Sequence, residues 1–419
     1  MNSRHSGRLK SVNTPLLLRN LGPRWIDRVT TSANLTPVSA RVPHMTQLTI
    51  RCIEIFRVAV PLRGEGFRNA YAHTTEQHSI IVRVDTDGGS GYGNVDPIPG
   101  YSAASVEDTL TALHAQLGPC LLGMDARQPN AILAKLDAQS AQDFEAKAAL
   151  EMACFDAVAQ ASALPVSALL GGRVRDTVHF NAWIGLVAPS QAAQEAKEWQ
   201  ARGFRSAKIK LGSGVEEDRA RVMAVRAAVG DSMALRADAN AAYSVADSIA
   251  LGRALAPAEL QLLEQPVAAD DLTGLAEVRR AVPMPIMADE AITDHASLID
   301  VIRAGAADII KLKVMKQGGL LRTRAMIDTA AAAGMPVVIG HGFGLGISTL
   351  AEVAVAASTH AVMDGLEAVG PLKMRDDICV SPLDLSGGTL QVPRHIGWGA
   401  MVDPHKLQQY QVEYVSIRA

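Results

Sequence analysis

The sequence predicts an α/β protein with a modified TIM (β/α)-barrel and an N-terminal α+β capping domain. Short apolar segments recur through the second half of the chain at intervals of about 25 residues, the length of one strand, one helix and two short loops. Each segment ends near a polar residue, and most precede an alanine-rich stretch with helical periodicity. In such a barrel the carboxyl ends of the strands meet at one mouth. We therefore expect these polar residues to form a ring.

The regular spacing assigns the barrel to residues 173–380. The preceding residues 45–172 contain strand-like segments that alternate in part, an Asp-Gly turn, and helical periodicity over 105–122 and 144–161. They form the predicted capping domain. The last segment, 381–419, is too short for a domain and is expected to return to the cap.

The first 44 residues differ from the rest of the chain. Residues 1–44 contain seven Lys and Arg but one acidic residue, and they lack the apolar core of a secretory signal. We interpret them as a disordered extension, with an organelle-targeting peptide as the alternative. They are excluded from the predicted fold.

The composition excludes several protein classes. The net charge is -3 and 48% of the residues are hydrophobic, which favours a globular protein without nucleic acid or membrane as a partner. The four cysteines form no CxxC pair, so neither a disulfide framework nor a zinc site is predicted. No apolar run reaches the roughly 18 residues that span a bilayer. We expect a cytoplasmic protein that forms a homo-oligomer.

Three acidic residues end consecutive predicted strands: Asp238, Glu264 and Asp289. Carboxylates without His or Cys suit a hard cation, with Mg²⁺ as the best fit and Mn²⁺ next. Without a cation the three charges would repel one another. Each acid taken alone would more simply be a helix cap, but three at matching strand ends favour a metal site.

Three lysines complete the predicted chemistry. Lys208 and Lys210 are two positions apart on a strand, so both face the barrel interior or its mouth. Neighbouring ammonium groups are expected to lower each other's pKa towards that of a general base. Lys313, four strands further round, would approach a bound substrate from the other side.

These motifs together resemble the enolase superfamily, specifically its muconate-lactonizing-enzyme subgroup, from Met45 onward. The motifs are K-I-K at 208–210, R-A-D-A-N around Asp238, L-E-Q-P at Glu264, A-D-E at Asp289 and K-V-M-K-Q-G-G from Lys313. The resemblance implies Mg²⁺ held by the three acids, with the substrate carboxylate bound to that ion. It also implies Lys210 and Lys313 as the acid/base pair on the two faces of an enolate, with Lys208 as an auxiliary. The register of the motif favours Lys313 over Lys311.

Substrate contacts are predicted from position. Glu367 matches an acidic position that lies near the substrate carboxylate in relatives, and His341 is interpreted as a substrate contact or proton relay, with a structural role as the alternative. The cap loops and the first barrel strand would close the pocket. The residues predicted there are Arg63, Phe67, Tyr101 and Trp183.

The core motifs alone do not choose the reaction. We expect a racemase or epimerase of a small amino-acid-like carboxylate, since lysines on both faces permit it directly. The alternatives are a dehydratase of a small hydroxy acid of the hydroxyproline type, a muconate-type cycloisomerase, and a catalytically silent barrel. The D-x-D pattern that dipeptide epimerases of this subgroup carry on the eighth strand is absent from M-D-G-L-E-A-V-G. A dipeptide substrate is therefore disfavoured.

Overall fold

The computed structural model describes residues 47–64, 67–68, 73–98 and 102–418. The predicted extension 1–44 lies outside these residues. Within them, the chain forms one compact unit that contains both the cap and the barrel.

Antiparallel strands begin the cap. Ile53, Ile55 and Val58 of the first strand are buried, and polar residues alternate with them in part, as expected for a sheet with one face on a core. The strands are β1 (Ile50–Pro61), β2 (Phe67–Arg68), β3 (His73–Thr74), β4 (Glu76–Thr86) and β5 (Gly89–Val95).

Helices cover one face of this sheet. They are α1 (Val106–Ala112), α2 (Pro129–Gln139), α3 (Phe144–Ser162) and α4 (Val166–Leu169). α3 is rich in alanine and almost wholly buried, which allows it to pack closely on β4 and β5. The helix predicted over 105–122 is shorter than expected, because α1 passes into a π-helical turn at Leu113–Leu117 and a 3₁₀ turn at Pro119–Leu121.

The barrel follows a short strand, β6 (Thr177–His179). Its strands form a parallel sheet, and those in the middle are buried along their whole length because helices cover the outer face. These strands are β7 (Ala182–Ile184), β8 (Ser206–Lys210), β9 (Ala234–Asp238), β10 (Leu262–Glu264), β11 (Ile286–Ala288), β12 (Ile309–Leu312) and β13 (Val337–Ile339).

A segment without regular strand structure closes the sheet. Met363 and Glu367 donate backbone hydrogen bonds to β13, and Leu366 exchanges backbone hydrogen bonds with residues 179 and 181 beside β7. The segment 361–367 thus links the two edge strands. The predicted α/β fold, a barrel with an N-terminal cap, is confirmed.

Helices alternate with these strands around the outside. They are α5 (Pro189–Ala201), α6 (Val215–Val229), α7 (Val245–Ala254), α8 (Leu272–Ala281), α9 (His295–Ala304), α10 (Leu320–Ala332), α11 (Gly346–Ala357) and α12 (Gly370–Lys373). In the described part of the chain, no helix is both long and apolar enough to cross a membrane.

The chain then returns to the cap. It forms β14 (Thr389–Gln391), α13 (Pro404–Tyr410) and β15 (Gln411–Arg418). β14 pairs with β6, and β15 pairs antiparallel with β1, so that the cap sheet has the order β15-β1-β4-β5.

Candidate active site

The carboxyl ends of neighbouring barrel strands bring the predicted lysines and acids together. Lys210 is the register partner of Asp238, and Asp238 is the register partner of Glu264. Asp289 directly follows β11, and Lys313 directly follows β12. Parallel register therefore converts the regular spacing along the chain into a row of side chains at one mouth.

On one side of this row, the lysines of β8 contact two of the acids. Lys210 Nζ donates to Asp238 Oδ2 at 2.7 Å and to Asn240 Oδ1 at 2.6 Å. Lys208 Nζ lies 3.0 Å from Asp238 Oδ2 and 3.1 Å from Glu264 Oε2. Lys208 and Lys210 thus share Asp238, as expected for residues two positions apart on one strand face.

On the other side, the third acid has its own lysines. Lys313 Nζ donates to both carboxylate oxygens of Asp289, at 2.7 Å each. Lys316 Nζ donates to the Asp289 backbone oxygen at 2.8 Å and lies 3.3 Å from its Oδ1. Ammonium groups therefore flank the row of acids from β8 and from the loop after β12.

Glu264, the middle acid, is the least neutralised of the three. Burial and the neighbouring Asp238 raise the pKa of Glu264 to about 8. Among the described residues, its Oε1 has no hydrogen-bond partner, and Lys311 Nζ lies 3.9 Å away. An unpartnered, fully buried carboxyl oxygen beside two other acids is a position that a cation would stabilise.

The charge pattern corrects one expectation from the sequence. Burial alone would lower the pKa of Lys208. The charges of Asp238, Glu264 and Glu367 outweigh burial and hold that pKa well above its usual range. Burial likewise opposes, but does not cancel, the effect of Asp289 on Lys313, whose pKa is raised. The prediction that paired lysines lower each other's pKa is therefore wrong for Lys208 in this arrangement, because the acids lie closer than sequence spacing could show.

The same lysines lower the pKa values of two acids. Burial raises the pKa of Asp238, yet Lys208 and Lys210 bring it below the usual value. The pKa of Asp289 lies well below its usual range, since Lys313 and Lys316 outweigh burial. The expected mutual repulsion of the acids is thus largely offset by ammonium groups in this arrangement.

The donor set fits a hard cation, although the side chains are not arranged around one. Three carboxylates at adjacent strand ends are the oxygen ligands that Mg²⁺ prefers. Within the described ranges, no group of three or more His, Cys, Asp or Glu side chains stands ready to hold a metal ion, since the carboxylates contact ammonium groups instead. Which residues bind the metal therefore remains a prediction.

Glu367 lies within the barrel interior rather than at an open position. Its side chain accepts from Arg236 Nη1 at 3.0 Å, contacts Lys311 Nζ closely, and lies 2.5 Å from Lys208 Nζ. All four side chains are largely or wholly buried. The structure therefore shows Glu367 as the anion of an internal ion network, and its predicted contact with substrate would have to compete with three cations.

His341 follows β13 and faces the cap. Its Nε2 lies 3.9 Å from Oδ2 of Asp96, which follows β5, and its Nδ1 has no partner among the described residues. Burial, together with Lys313 and Lys373, lowers the pKa of His341 to about 3. The imidazole is neutral at physiological pH, so it can exchange a hydrogen bond but supplies no positive charge.

Trp183 forms part of a wall around a lysine that sequence reasoning missed. Lys373 Nζ lies 4.7 Å from the centroid of the Trp183 ring and 3.9 Å from that of Phe343. Burial and the nearby Lys210 and Lys208 place the pKa of Lys373 well below its usual range. The available signal was a single lysine in the apolar segment A-V-G-P-L-K-M after the last barrel segment.

The remaining predicted substrate contacts have mixed outcomes. Arg63 is exposed, donates from Nε to the Met374 backbone oxygen at 2.6 Å, and lines a cavity of about 260 Å³ with Arg202 and Arg375. Among the described residues, the hydrogen bonds of Arg63 are with the backbone of residues 373 and 374 and not with the strand-end lysines or acids. Phe67 lies in β2, and only its backbone is described. Tyr101 lies outside the described residues.

Comparison with known proteins places the chain in a family. Residues 52–171 match the family described as mandelate racemase/muconate lactonizing enzyme, N-terminal domain, and residues 191–406 match the family described as enolase C-terminal domain-like. The chain is 32% identical over 351 residues to the L-Ala-D/L-Glu epimerase of Bacillus subtilis, covering 83% of this chain and 95% of that protein. It is 33% identical over 343 residues to the chloromuconate cycloisomerase of Cupriavidus pinatubonensis, covering 80% and 91% respectively.

Solved structures agree with this placement. The N-succinyl Arg/Lys racemase from Bacillus cereus superimposes with a TM-score of 0.84 at 29% identity, covering 89% of this chain and all of that one. These relatives are isomerases, and the matches extend over both the cap and the barrel. The chain belongs to the enolase superfamily, in its muconate-lactonizing-enzyme subgroup.

Proposed function

We propose that this protein is an Mg²⁺-dependent racemase or epimerase that removes the proton next to the carboxylate of a small amino-acid-like substrate and returns a proton to the opposite face. The observation that carries the proposal is the placement of lysines on both sides of the acid row. Lys210 lies on the side of β8 and Lys313 on the side of β12. A substrate held between them would meet one ammonium or amine group on each face.

Asp238, Glu264 and Asp289 would hold the metal ion. The unpartnered, buried Glu264 oxygen supports this assignment. When bound, Mg²⁺ would supply positive charge for the substrate carboxylate. A solved relative, the dipeptide epimerase from Enterococcus faecalis, is described as complexed with Mg.

The lysines would carry the proton transfers. One lysine in its neutral form takes the α-proton, and the lysine on the other face, as an ammonium group, donates one. The enediolate formed between these steps is doubly negative, so ammonium groups stabilise it more than the ground state. Lys208 is assigned an auxiliary electrostatic role, because it already contacts Asp238 and Glu264.

The relatives support an amino-acid-like substrate. The names of two relatives describe racemases of N-succinyl-Arg/Lys and of N-succinylamino acids. The absence of D-x-D near Glu367 argues against a dipeptide. An N-substituted or otherwise modified amino acid is therefore the substrate class that we favour.

Cycloisomerisation is the second candidate. The chloromuconate cycloisomerase is 33% identical, and the muconate lactonizing enzyme from Pseudomonas fluorescens, solved with muconolactone, superimposes with a TM-score of 0.83. The same strand-end lysines would serve that reaction. Dehydration of a small hydroxy acid stays a further alternative.

Proton NMR in D₂O with a panel of acids separates these reactions. The panel contains both enantiomers of N-acylated and ring-containing amino acids, hydroxy acids and cis,cis-muconate. Loss of the α-proton signal with appearance of the other stereoisomer supports the proposal. A new keto or alkene signal would show elimination, lactone formation would show cycloisomerisation, and either result would overturn it.

Single lysine variants test the assignment of the two faces. Lys210→Ala and Lys313→Ala should each abolish turnover, yet each should still exchange the α-proton of one enantiomer, because the surviving lysine reaches one face. Exchange of both enantiomers by Lys313→Ala would exclude a face-specific role for Lys313. Homo-oligomeric assembly stays a separate prediction, which light scattering of the purified protein would measure.

A further inference from the structure

The helix that follows Lys313 is capped by a side chain from the other domain. α10 begins at Leu320 after Gly319, which has no side chain to accept its first backbone N–H groups. Glu151 of the cap helix α3 supplies the acceptors: its carboxyl contacts the N–H of Leu320 closely and accepts from the N–H of Leu321 at 3.3 Å. Glu151 is 1% exposed.

The loop before α10 is shaped to fit against α3. Gly318 and Gly319 have φ values of +81° and +123°, which side-chain-bearing residues rarely adopt. A Cβ atom on Gly319 would overlap the Glu151 carboxyl, and one on Gly318 would lie 3.0 Å from the Phe144 ring. The two glycines therefore permit both the turn and the close approach of the cap helix.

The same loop is tied to the backbone of Lys313. Gln317 accepts from the Lys313 N–H through its side-chain oxygen at 2.6 Å and donates its own N–H to the Lys313 carbonyl at 3.1 Å. Gly319 N–H donates to the Val314 carbonyl at 2.9 Å. A short hydrogen-bonded path thus connects the lysine to the residues that Glu151 holds.

A second barrel helix is capped from the same domain. α11, which follows His341, has no side-chain cap at Leu345, and Asn94 at the end of β5 accepts from the Ser348 N–H at 3.2 Å. Asp377 accepts from the first N–H of α11, that of Gly346, at 2.8 Å. Cap residues therefore contact the amino ends of both helices that follow β12 and β13, and Glu151 is the one that holds the first N–H of its helix.

We propose that Glu151 is a positioning residue for Lys313, through which the capping domain sets the placement of the base on that face. The inference rests on the proposed function, in which Lys313 serves one face of the substrate. A displacement of about 1 Å at a reacting group can lower a rate by about 100-fold, so loosening this loop should weaken one face more than the other. A purely structural role for Glu151 would affect both faces alike.

A buried acid on the same helix provides the matched control. Asp156 accepts from the backbone N–H groups of Tyr92 at 2.9 Å and Trp398 at 3.2 Å, and it is 3% exposed. None of its described contacts is with the loop after Lys313. Glu151→Gln and Asp156→Asn are thus equivalent isosteric changes, and Glu151→Ala removes the acceptors altogether.

The test compares α-proton exchange of the two enantiomers in D₂O. The enantiomer that Lys210→Ala still exchanges identifies the face of Lys313. We expect Glu151→Ala to lower the α-proton exchange rate of that enantiomer by about 10-fold to 100-fold relative to the rate of the other enantiomer. Glu151→Gln should lower the same rate by less. Asp156→Asn should leave the ratio unchanged. An unchanged ratio in Glu151→Ala would overturn the positioning role.

A measurement without substrate keeps the inference separate from the proposed function. Amide hydrogen exchange over residues 314–321 should become faster in Glu151→Ala and stay as in the unmodified protein in Asp156→Asn. Wild-type protein that exchanges neither enantiomer would overturn the proposed function, and the amide measurement would still decide whether Glu151 holds the loop. Unchanged amide exchange in Glu151→Ala would overturn the inference.

Discussion

Replacing Asp289 by asparagine should destabilise the metal-free protein as well as weaken metal binding. Asp289 accepts from Lys313 through both oxygens at 2.7 Å, and the side chains of Lys313 and Lys316 are 9% and 11% exposed. Removing one partner of a buried ion pair costs about 3–5 kcal/mol. The amide oxygen of asparagine can still accept from Lys313, so we expect the lower end, about 3 kcal/mol.

Thermal unfolding with EDTA and with Mg²⁺ measures both effects. An unfolding entropy of about 2.1 cal/mol/K per residue over about 370 residues converts 3 kcal/mol into a fall of about 4 °C. Wild-type protein at about 100 times the dissociation constant should gain about 2.7 kcal/mol from the ion. Asp289→Asn should lose most of that gain.

Asp308→Asn is the control for this experiment. Asp308 pairs with Arg279 at 2.7 Å near the start of β12, and its side chain is 32% exposed, so its ion pair should contribute at most about 1 kcal/mol. If Asp289→Asn in EDTA unfolds at or above the wild-type temperature, the acid is not the counter-ion of these lysines, and the reasoning fails.

Three further predictions address the metal, pH and backbone. EDTA should abolish activity and Mg²⁺ or Mn²⁺ should restore it; full activity of a verified metal-free preparation would contradict this. Burial raises the pKa of Asp156 to about 6, against opposing backbone N–H groups, so protonation of Asp156 favours the folded state. That contribution is fully present below the pKa of Asp156 in the unfolded chain, about 4, and is lost as pH rises to about 6. The free energy of unfolding of the wild type relative to Asp156→Asn should therefore fall between these pH values and then level off. Gly319→Ala combines a positive φ with overlap on Glu151, so it should lower the free energy of unfolding in urea by about 3 kcal/mol or more. Gly334 has a positive φ but open space around it, so Gly334→Ala should lower that free energy by about 1 kcal/mol. Equal losses would show that the close approach to Glu151 is unimportant.

The barrel was predictable because its strands and helices repeat along the sequence at nearly constant intervals. Strand, helix and loop lengths repeat, and polar residues such as Asp238 and Glu264 end successive strands, so their meeting at one mouth follows from the architecture. The grouping of Lys210 with Asp238 follows equally from parallel register. Local pattern therefore contains most of the information about which strand ends meet.

The pairing of charges was not predictable in the same way. The pKa of Lys208 depends on which acids lie within a few ångströms, and sequence spacing does not contain that information. Lys373 ends the short helix α12 and packs against Trp183, and Arg63 donates to the backbone oxygen of the neighbouring Met374. Contacts between distant loops depend on packing of the whole chain, so single-sequence patterns do not determine them.

The pairing of β15 with β1 has a consequence for synthesis of the protein on the ribosome. Cys52 of β1 lies against Ser416 of β15, 364 positions further along the chain, and the rings of Phe56 and Tyr414 are 5.0 Å apart. While the barrel is being translated, β1 can pair with β4 but its other edge has no strand to bind. An open strand edge is a site for unwanted pairing between nascent chains. This edge stays open until the whole barrel has been made.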